Sequence, residues 1–241
     1  MVDFSAIDSV SCFNSGGFCD GGATATAMYS DGSTGIFNFT WASTEADNGV
    51  MMSTASQLCR GLQPVTVSDG TCFVVDTVLV PAPDSLRIGS ITKTNVSCTG
   101  DTDGSITLQA TGGTAPYSYA WSTNETGPTI SNLAPGIYIA VIDDANGCSF
   151  TVSTEIEEPN PFILLEADLM DVSCNGFANG AYTVTYQGGT VLMGNPTYTW
   201  SGGVAPATSS IAQNLASGTY SVTGTDDKGC QAEISFMISE P

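Results

Sequence analysis

Three landmarks recur in the same order, three times, along the 241 residues of this chain. The first is a cysteine: Cys12, Cys98 and Cys174. The second is a tryptophan that ends an alternating strand, in NFTW at Trp41, YSYAW at Trp121 and TYTW at Trp200. The third is a Leu-x-x-Gly segment that runs on to another cysteine: Leu58 to Cys72, Leu133 to Cys148 and Leu215 to Cys230. The tryptophans are 80 and 79 residues apart, and the leucine-to-cysteine distances are 14, 15 and 15. Self-similarity of this kind marks an array of one structural unit, so any proposed site has to make sense copy by copy.

Proline sets the boundaries. The second and third copies close with Glu158-Pro159 and Glu240-Pro241, and the first with Val80-Pro81-Ala82-Pro83. Proline cannot donate to a sheet ladder, so it ends strands and stiffens short linkers. The expected domains are 1–80, 81–158 and 159–241. Within them, runs such as Ile137 to Ile142 and Phe150 to Ile156 are rich in β-branched and aromatic residues, and no long apolar stripe of helical period is present. In the second copy, strands are expected over Leu86 to Val96, Ser105 to Ala110, Tyr117 to Trp121, Ile137 to Ile142 and Ser149 to Ile156. About seven short strands per copy, with turn signals between them, predict an all-β chain of three tandem immunoglobulin-like β-sandwich modules. Leu-x-x-Gly-x-Tyr places Tyr138 and Tyr220 as tyrosine corners, whereas the first copy has Gln63 there. Trp41, Trp121 and Trp200 are assigned to the core.

Eight cysteines allow 105 pairings. If bridges stay within modules, Cys98–Cys148 and Cys174–Cys230 follow at once. Position in the repeat then gives Cys12–Cys72, which leaves Cys19–Cys59. Each module is expected to be stapled by disulfide, because about 80 residues bury only a small core. Such bridges require an oxidising compartment. Zinc is disfavoured by the absence of His and of any Cys-x-x-Cys.

The charge is −20, spread as −7, −7 and −6 over the three copies, with only Arg60, Arg87, Lys93 and Lys228 opposing it. This excludes nucleic acid, whose phosphates require clustered basic residues, and argues against anionic membranes. The longest apolar run is six residues, against about twenty for a membrane-spanning helix. MVDFSAIDSV lacks the basic and apolar regions of a signal peptide, so a segment of a longer secreted precursor is expected. Catalysis is not expected: there is no His, no phosphate-cradling glycine loop, and no carboxylate pair placed across a cleft.

Calcium is the one cofactor that the loops suggest. Asp101 and Asp103 follow Cys98, and Asp143 and Asp144 precede Cys148. A Cys98–Cys148 bridge would bring these oxygen-rich loops together for an ion that takes six to eight oxygens. The set is incomplete elsewhere, with Asn179 in place of Asp103 in the third copy, and hairpins use Asp-rich turns in any case. N-linked sequons occur at Asn38, Asn95 and Asn124, and short Asp-Ser/Thr-aliphatic glycan motifs begin at Asp8, Asp76 and Asp84.

The second copy, VSCTGDTDGSITLQATGGTAPYSYAW through ISNLAPGIYIAVIDDANGC to Glu-Pro, resembles an SprB-type repeat over nearly its whole length. The third matches from VSCNG through TYTW to GTYSVTGTDDKGC, with an insertion at 191–195. The first diverges, keeping Cys12, Trp41 and Cys72 but lacking the TGGTAPY turn. The resemblance implies tandem modules in very large proteins of Bacteroidota, exported by the type IX system to the cell surface. There they serve as adhesins in gliding, or as filaments gripping substrates or prey. The expected partners are therefore neighbouring modules, other copies in a multi-chain fibre, and surface glycans or prey surfaces. Two rival readings are a carbohydrate-binding array, with Phe13, Phe18 and Tyr29 as its loose aromatic candidates, and a calcium-rigidified linker.

Overall fold

The structure is a computed structural model of the chain and describes all residues except 13–18, 44, 193, 195 and 207. The first copy holds β1 Val2–Asp8, β2 Gly21–Ala27, β3 Phe37–Trp41, β4 Ala46–Val50, β5 Met52–Leu58, β6 Gly61–Ser68 and β7 Phe73–Val80. The second holds β8 Arg87–Thr94, β9 Gly104–Thr111, β10 Ser118–Trp121, β11 Thr129–Leu133, β12 Gly136–Asp143 and β13 Ser149–Ile156. The third holds β14 Ile163–Met170, β15 Gly180–Gln187, β16 Thr197–Trp200, β17 Ile211–Leu215, β18 Gly218–Thr225 and β19 Gln231–Ile238. Helical structure among the described residues is limited to a 3-10 turn over Ser201–Gly203. The chain is all-β. Among the described residues the second and third copies have six strands each, where about seven are expected from sequence.

Every sheet stays within one copy. The orders are β1-β2-β5 and β4-β3-β6-β7, then β11-β9-β8 and β10-β12-β13, then β14-β15-β17 and β16-β18-β19. Period-2 alternation decides which face is buried. In β3, Phe37, Phe39 and Trp41 are buried while Asn38 and Thr40 are exposed. The core of the first copy takes Ala23, Ala25, Ala55 and Leu58 from one sheet and Phe39, Trp41, Val65 and Val80 from the other. In the third copy Tyr182, Val184 and Ala212 of one sheet meet Trp200, Val222 and Phe236 of the other. The rings of Tyr182 and Phe236 stack with centroids 3.7 Å apart. Two sheets sharing one core in this way make a β-sandwich.

All three tryptophans are buried, and each indole N–H finds an acceptor, as a buried donor must. Trp41 donates to Ser53 Oγ at 2.8 Å, Trp121 to the Gly127 carbonyl at 2.9 Å and Trp200 to the Ser209 carbonyl at 3.0 Å. Strands β11 and β17 each carry a bulge, where Asn132 and Asn214 both sit at φ 58°. Asn is one of the few residues with a side chain that tolerates this region.

The chain divides into two compact units. One comprises residues 1–91, 108–128 and 139–152, and the other 92–107, 129–138 and 153–241. The division passes through β8, β9, β12 and β13, so each unit contains one outer copy and part of the middle one.

Candidate functional site: the bridge between repeats

The disulfides connect Cys12 to Cys148, Cys19 to Cys59 and Cys98 to Cys230, while Cys72 and Cys174 are free thiols on the surface. The within-module pairings Cys98–Cys148, Cys174–Cys230 and Cys12–Cys72 are not formed. The first cysteine of one copy bonds instead to the second cysteine of the next. Cys12–Cys148 lies inside the first unit and Cys98–Cys230 inside the second. Only Cys19–Cys59 staples a module to itself.

Strand length explains the correction. In the third copy, Cys230 opens β19, and the far end of that eight-residue strand reaches Ser239, whose carbonyl accepts the Val172 N–H at 3.1 Å, beside Cys174. Eight extended residues span roughly 25 Å, whereas bonded cysteines here have Cα atoms 5.5 and 5.7 Å apart. The first copy repeats the arrangement. Cys72 opens β7, and beyond its far end Pro81 accepts the Val10 N–H at 3.1 Å, beside Cys12. The two cysteines of a module therefore sit at opposite ends of its sandwich, each positioned for a neighbour.

A buried carboxylate shapes the second-cysteine turns of the middle and third copies. Asp144 accepts N–H groups from Thr114 at 2.8 Å, Asn146 at 2.9 Å and Cys148 at 2.9 Å. Asp226 does the same for Thr190 at 2.7 Å, Lys228 at 2.9 Å and Cys230 at 2.9 Å. Both are under 8% exposed. Gly113 and Gly189 sit against these oxygens at φ 60° and 67°, where a Cβ would come within 2.6 and 2.8 Å of the carboxylate. The Gly-Gly turn is thus required by close approach as well as by conformation. In the first copy the exposed Asp69 accepts N–H from Thr71 and Cys72, both at 2.8 Å. These bonds, Cys72 first, hold its carboxyl below the usual range.

Three of the four proposed calcium ligands, Asp103, Asp143 and Asp144, accept hydrogen bonds through their carboxylates. Asp103 Oδ1 accepts the Ser97 N–H at 2.9 Å, and Asp20 Oδ1 accepts the Ser11 N–H at 2.9 Å. Hydrogen bonding by Ser97 and by Ser11 holds these two carboxyls below the usual range. Asn179 Oδ1 caps Ser173 in the same way at 3.1 Å, so the position needs an acceptor and not a charge. Asp143 accepts a hydrogen bond from Ser149 Oγ, and the Asp101 N–H bonds back to the Cys98 carbonyl at 3.1 Å. Asp101 and Asp103 belong to one unit and Asp143 and Asp144 to the other. The bridge expected to join their loops is absent. Among the described residues there is no group of three or more His, Cys, Asp or Glu side chains able to hold a metal ion.

Sequence reasoning missed the glycine that follows each capping residue. A Cβ at Gly21, Gly104 or Gly180 would lie 2.6–2.9 Å from Val80, Ile156 or Ile238, the last residues of their modules' final strands. The repeated Asp/Asn-Gly is the available signal for this contact. Tyr138 and Tyr220 donate to the carbonyls of Ala134 at 2.8 Å and Ala216 at 3.2 Å, and Gln63 Nε2 reaches the Arg60 carbonyl at 3.4 Å. Tyr29 packs on Phe37 with centroids 5.1 Å apart, whereas Phe13 and Phe18 lie outside the described residues.

A direct result is expected from alkylation of the folded, unreduced chain with a maleimide, followed by peptide mapping. Two sites should be labelled, Cys72 and Cys174. Label on Cys98 or Cys148 would contradict the bridge register.

The SprB repeat family model matches residues 90–126 and 167–205. No curated protein matches the chain. Among solved structures, the chain is similar to the three N-terminal domains of the highly immunogenic outer capsid protein of bacteriophage RB49, with 15% identity, a TM-score of 0.41 and 99% of both chains covered. It is similar to the N-terminal eight immunoglobulin domains of Down syndrome cell adhesion molecule, with 11% identity, a TM-score of 0.39, and 91% of this chain and 40% of that one covered. It is also similar to a C-terminal fragment of intimin, with 14% identity, a TM-score of 0.31, and 69% and 65% covered. Scores this low leave the fold to be read from the sheets themselves. The chain matches the SprB repeat twice, once in its second copy and once in its third.

Proposed function

We propose that the chain is a structural and adhesive repeat segment of a large secreted surface adhesin or extracellular filament of a gliding bacterium. It would serve as stalk and attachment surface, with three modules at 1–80, 81–158 and 159–241. The observation that carries this reading is the bridge register: disulfides join successive copies, a use of cysteine suited to an extended array more than to a free-standing domain. Bridges of this kind belong to oxidising compartments. The SprB match and the uniform acidity of the copies support a tandem extracellular module. Export by the type IX system and a role in gliding rest on the family resemblance.

Immunogold labelling of intact cells of the organism that encodes the chain tests the proposal. Antibody raised against the folded chain is expected to decorate the surface or its filaments, and the corresponding Fab to reduce attachment. Labelling that requires permeabilisation, or attachment unaffected by saturating Fab, would sink it.

A further inference from the structure

We propose that Cys72 and Cys174 are the two open halves of this same inter-repeat bridge, each built to bond the complementary cysteine of a further module of this repeat. Cys174 is a first cysteine without its second, and Cys72 is a second cysteine without its first. The inference stands on the bridge register alone and does not need the adhesive role.

Both half-sites already have the geometry of the bonded ones. At the bonded Cys98, Ser97 N–H reaches Asp103 Oδ1 at 2.9 Å, Asp101 N–H reaches the Cys98 carbonyl at 3.1 Å, and Gly100 N–H reaches Glu158 Oε1 at 2.7 Å. At the free Cys174, Ser173 N–H reaches Asn179 Oδ1 at 3.1 Å, Phe177 N–H reaches the Cys174 carbonyl at 3.1 Å, and Gly176 N–H reaches Glu240 Oε2 at 3.3 Å. The second-cysteine turns share one pair of backbone bonds. Bonded Cys148 and Cys230 each donate N–H to Asp Oδ1 at 2.9 Å and accept that aspartate's N–H at 3.0 Å. Free Cys72 has the same pair of bonds with Asp69, at 2.8 and 3.2 Å.

The surface beside Cys72 adds a second, independent mark. Where Cys148 and Cys230 are followed by the polar Ser149 and Gln231, Cys72 is followed by Phe73, which is 75% exposed. Phe73 and Cys72 line a shallow apolar groove with Met1, Met28, Tyr29 and Phe37. This apolar surface adjoins the thiol and is assigned to the same contact. In the first unit the corresponding turn of the middle copy is occupied, and Asn146 Nδ2 donates to the Ser11 carbonyl at 3.1 Å, next to Cys12. A module carrying a first-cysteine loop is the occupant that the thiol fits, by the pairing seen at Cys148 and Cys230.

Closure is thiol–disulfide exchange with a small-molecule disulfide as oxidant. One protein thiolate attacks the oxidant, displaces a thiolate and forms a mixed disulfide. The second protein thiolate then displaces the other half, so one protein S–S bond forms as the oxidant is reduced to two thiols.

The test uses the whole chain in a glutathione redox buffer. Cys72→Ser and Cys174→Ser variants are mixed in equal amounts. The mixture is expected to give a covalent dimer joining Cys174 of one to Cys72 of the other, at least fivefold more than either variant alone. Wild-type chain should give a ladder of higher species. A second arm appends a copy of residues 81–158 after Pro241. There Cys174 should bond the appended module's second cysteine, leaving that module's first cysteine and Cys72 as the free thiols. The first arm reads a second copy of the chain as partner, and the second reads a further module of the same chain. Homodimers formed as readily as the mixed dimer, or an appended module that closes its own two cysteines, would overturn the proposal.

Discussion

Replacing Asp226 with alanine is expected to lower the unfolding free energy by about 3 kcal/mol, seen as a lower urea midpoint. The carboxylate is 6% exposed and is the acceptor for three backbone N–H groups, from Thr190, Lys228 and Cys230. Alanine leaves all three donors short of an acceptor at a site nearly closed to water. Each such loss costs roughly 1–3 kcal/mol, reduced where water can enter the gap left by the side chain. Asp226→Asn keeps one acceptor oxygen and should cost less than half as much. Asp144→Ala in the middle copy should behave like Asp226→Ala, because Asp144 has the same three kinds of partner. An Asp226→Ala midpoint within error of wild type would refute the assignment of this residue as the organiser of the turn.

The second large effect is expected from opening an inter-repeat bridge. Cys98 and Cys230 are 132 residues apart in sequence, and closing a loop of that length is worth about 5 kcal/mol in the chain-entropy model, with measured losses of about 2–5 kcal/mol. The Cys98→Ser, Cys230→Ser double variant should therefore unfold at markedly lower urea than wild type, and trypsin should cleave it faster. Cys230 is also 8% exposed and belongs to the third copy's core cluster, so the double variant removes packing as well as a cross-link. Cys72→Ser and Cys174→Ser should change the unfolding free energy by no more than about 0.5 kcal/mol, since both thiols are exposed and unbonded. Equal midpoints for the double variant and wild type would show that the bridge adds nothing to stability.

Much of the fold was legible because its signals are local. Alternation in NFTW and TYTW sets a buried face within five residues, and Glu-Pro ends a strand by chemistry alone. The Leu-x-x-Gly-x-Tyr run carries its hydroxyl acceptor four residues upstream, within one turn of chain. The bridges were not legible in the same way. Pairing by module treats two cysteines as neighbours because they share a repeat, whereas an eight-residue final strand carries them to opposite ends of it. That length can be read from GCQAEISFMISEP, but its meaning depends on which end of the sandwich the first cysteine occupies, and this is a property of the sheet. The acidic loops have a structural role that composition alone does not show. Asp103 and Asp144 accept backbone N–H groups of their own turns, and Asn179 in the place of Asp103 shows that an oxygen is what that position requires.

The offset register of the bridges also changes the covalent load path. Pulled at its two termini, a chain with no cross-links can pay out its full contour length, at most ~3.6 Å per residue. Here the shortest bonded route from Met1 to Pro241 runs along residues 1–12 and crosses to Cys148. It then doubles back to Cys98, crosses to Cys230 and leaves along 230–241. That route uses roughly a third of the residues. The longer spans 12–98 and 148–230 join the same two bridges and stay slack, so even a fully unravelled chain would stop extending at about a third of its contour length while both bridges hold.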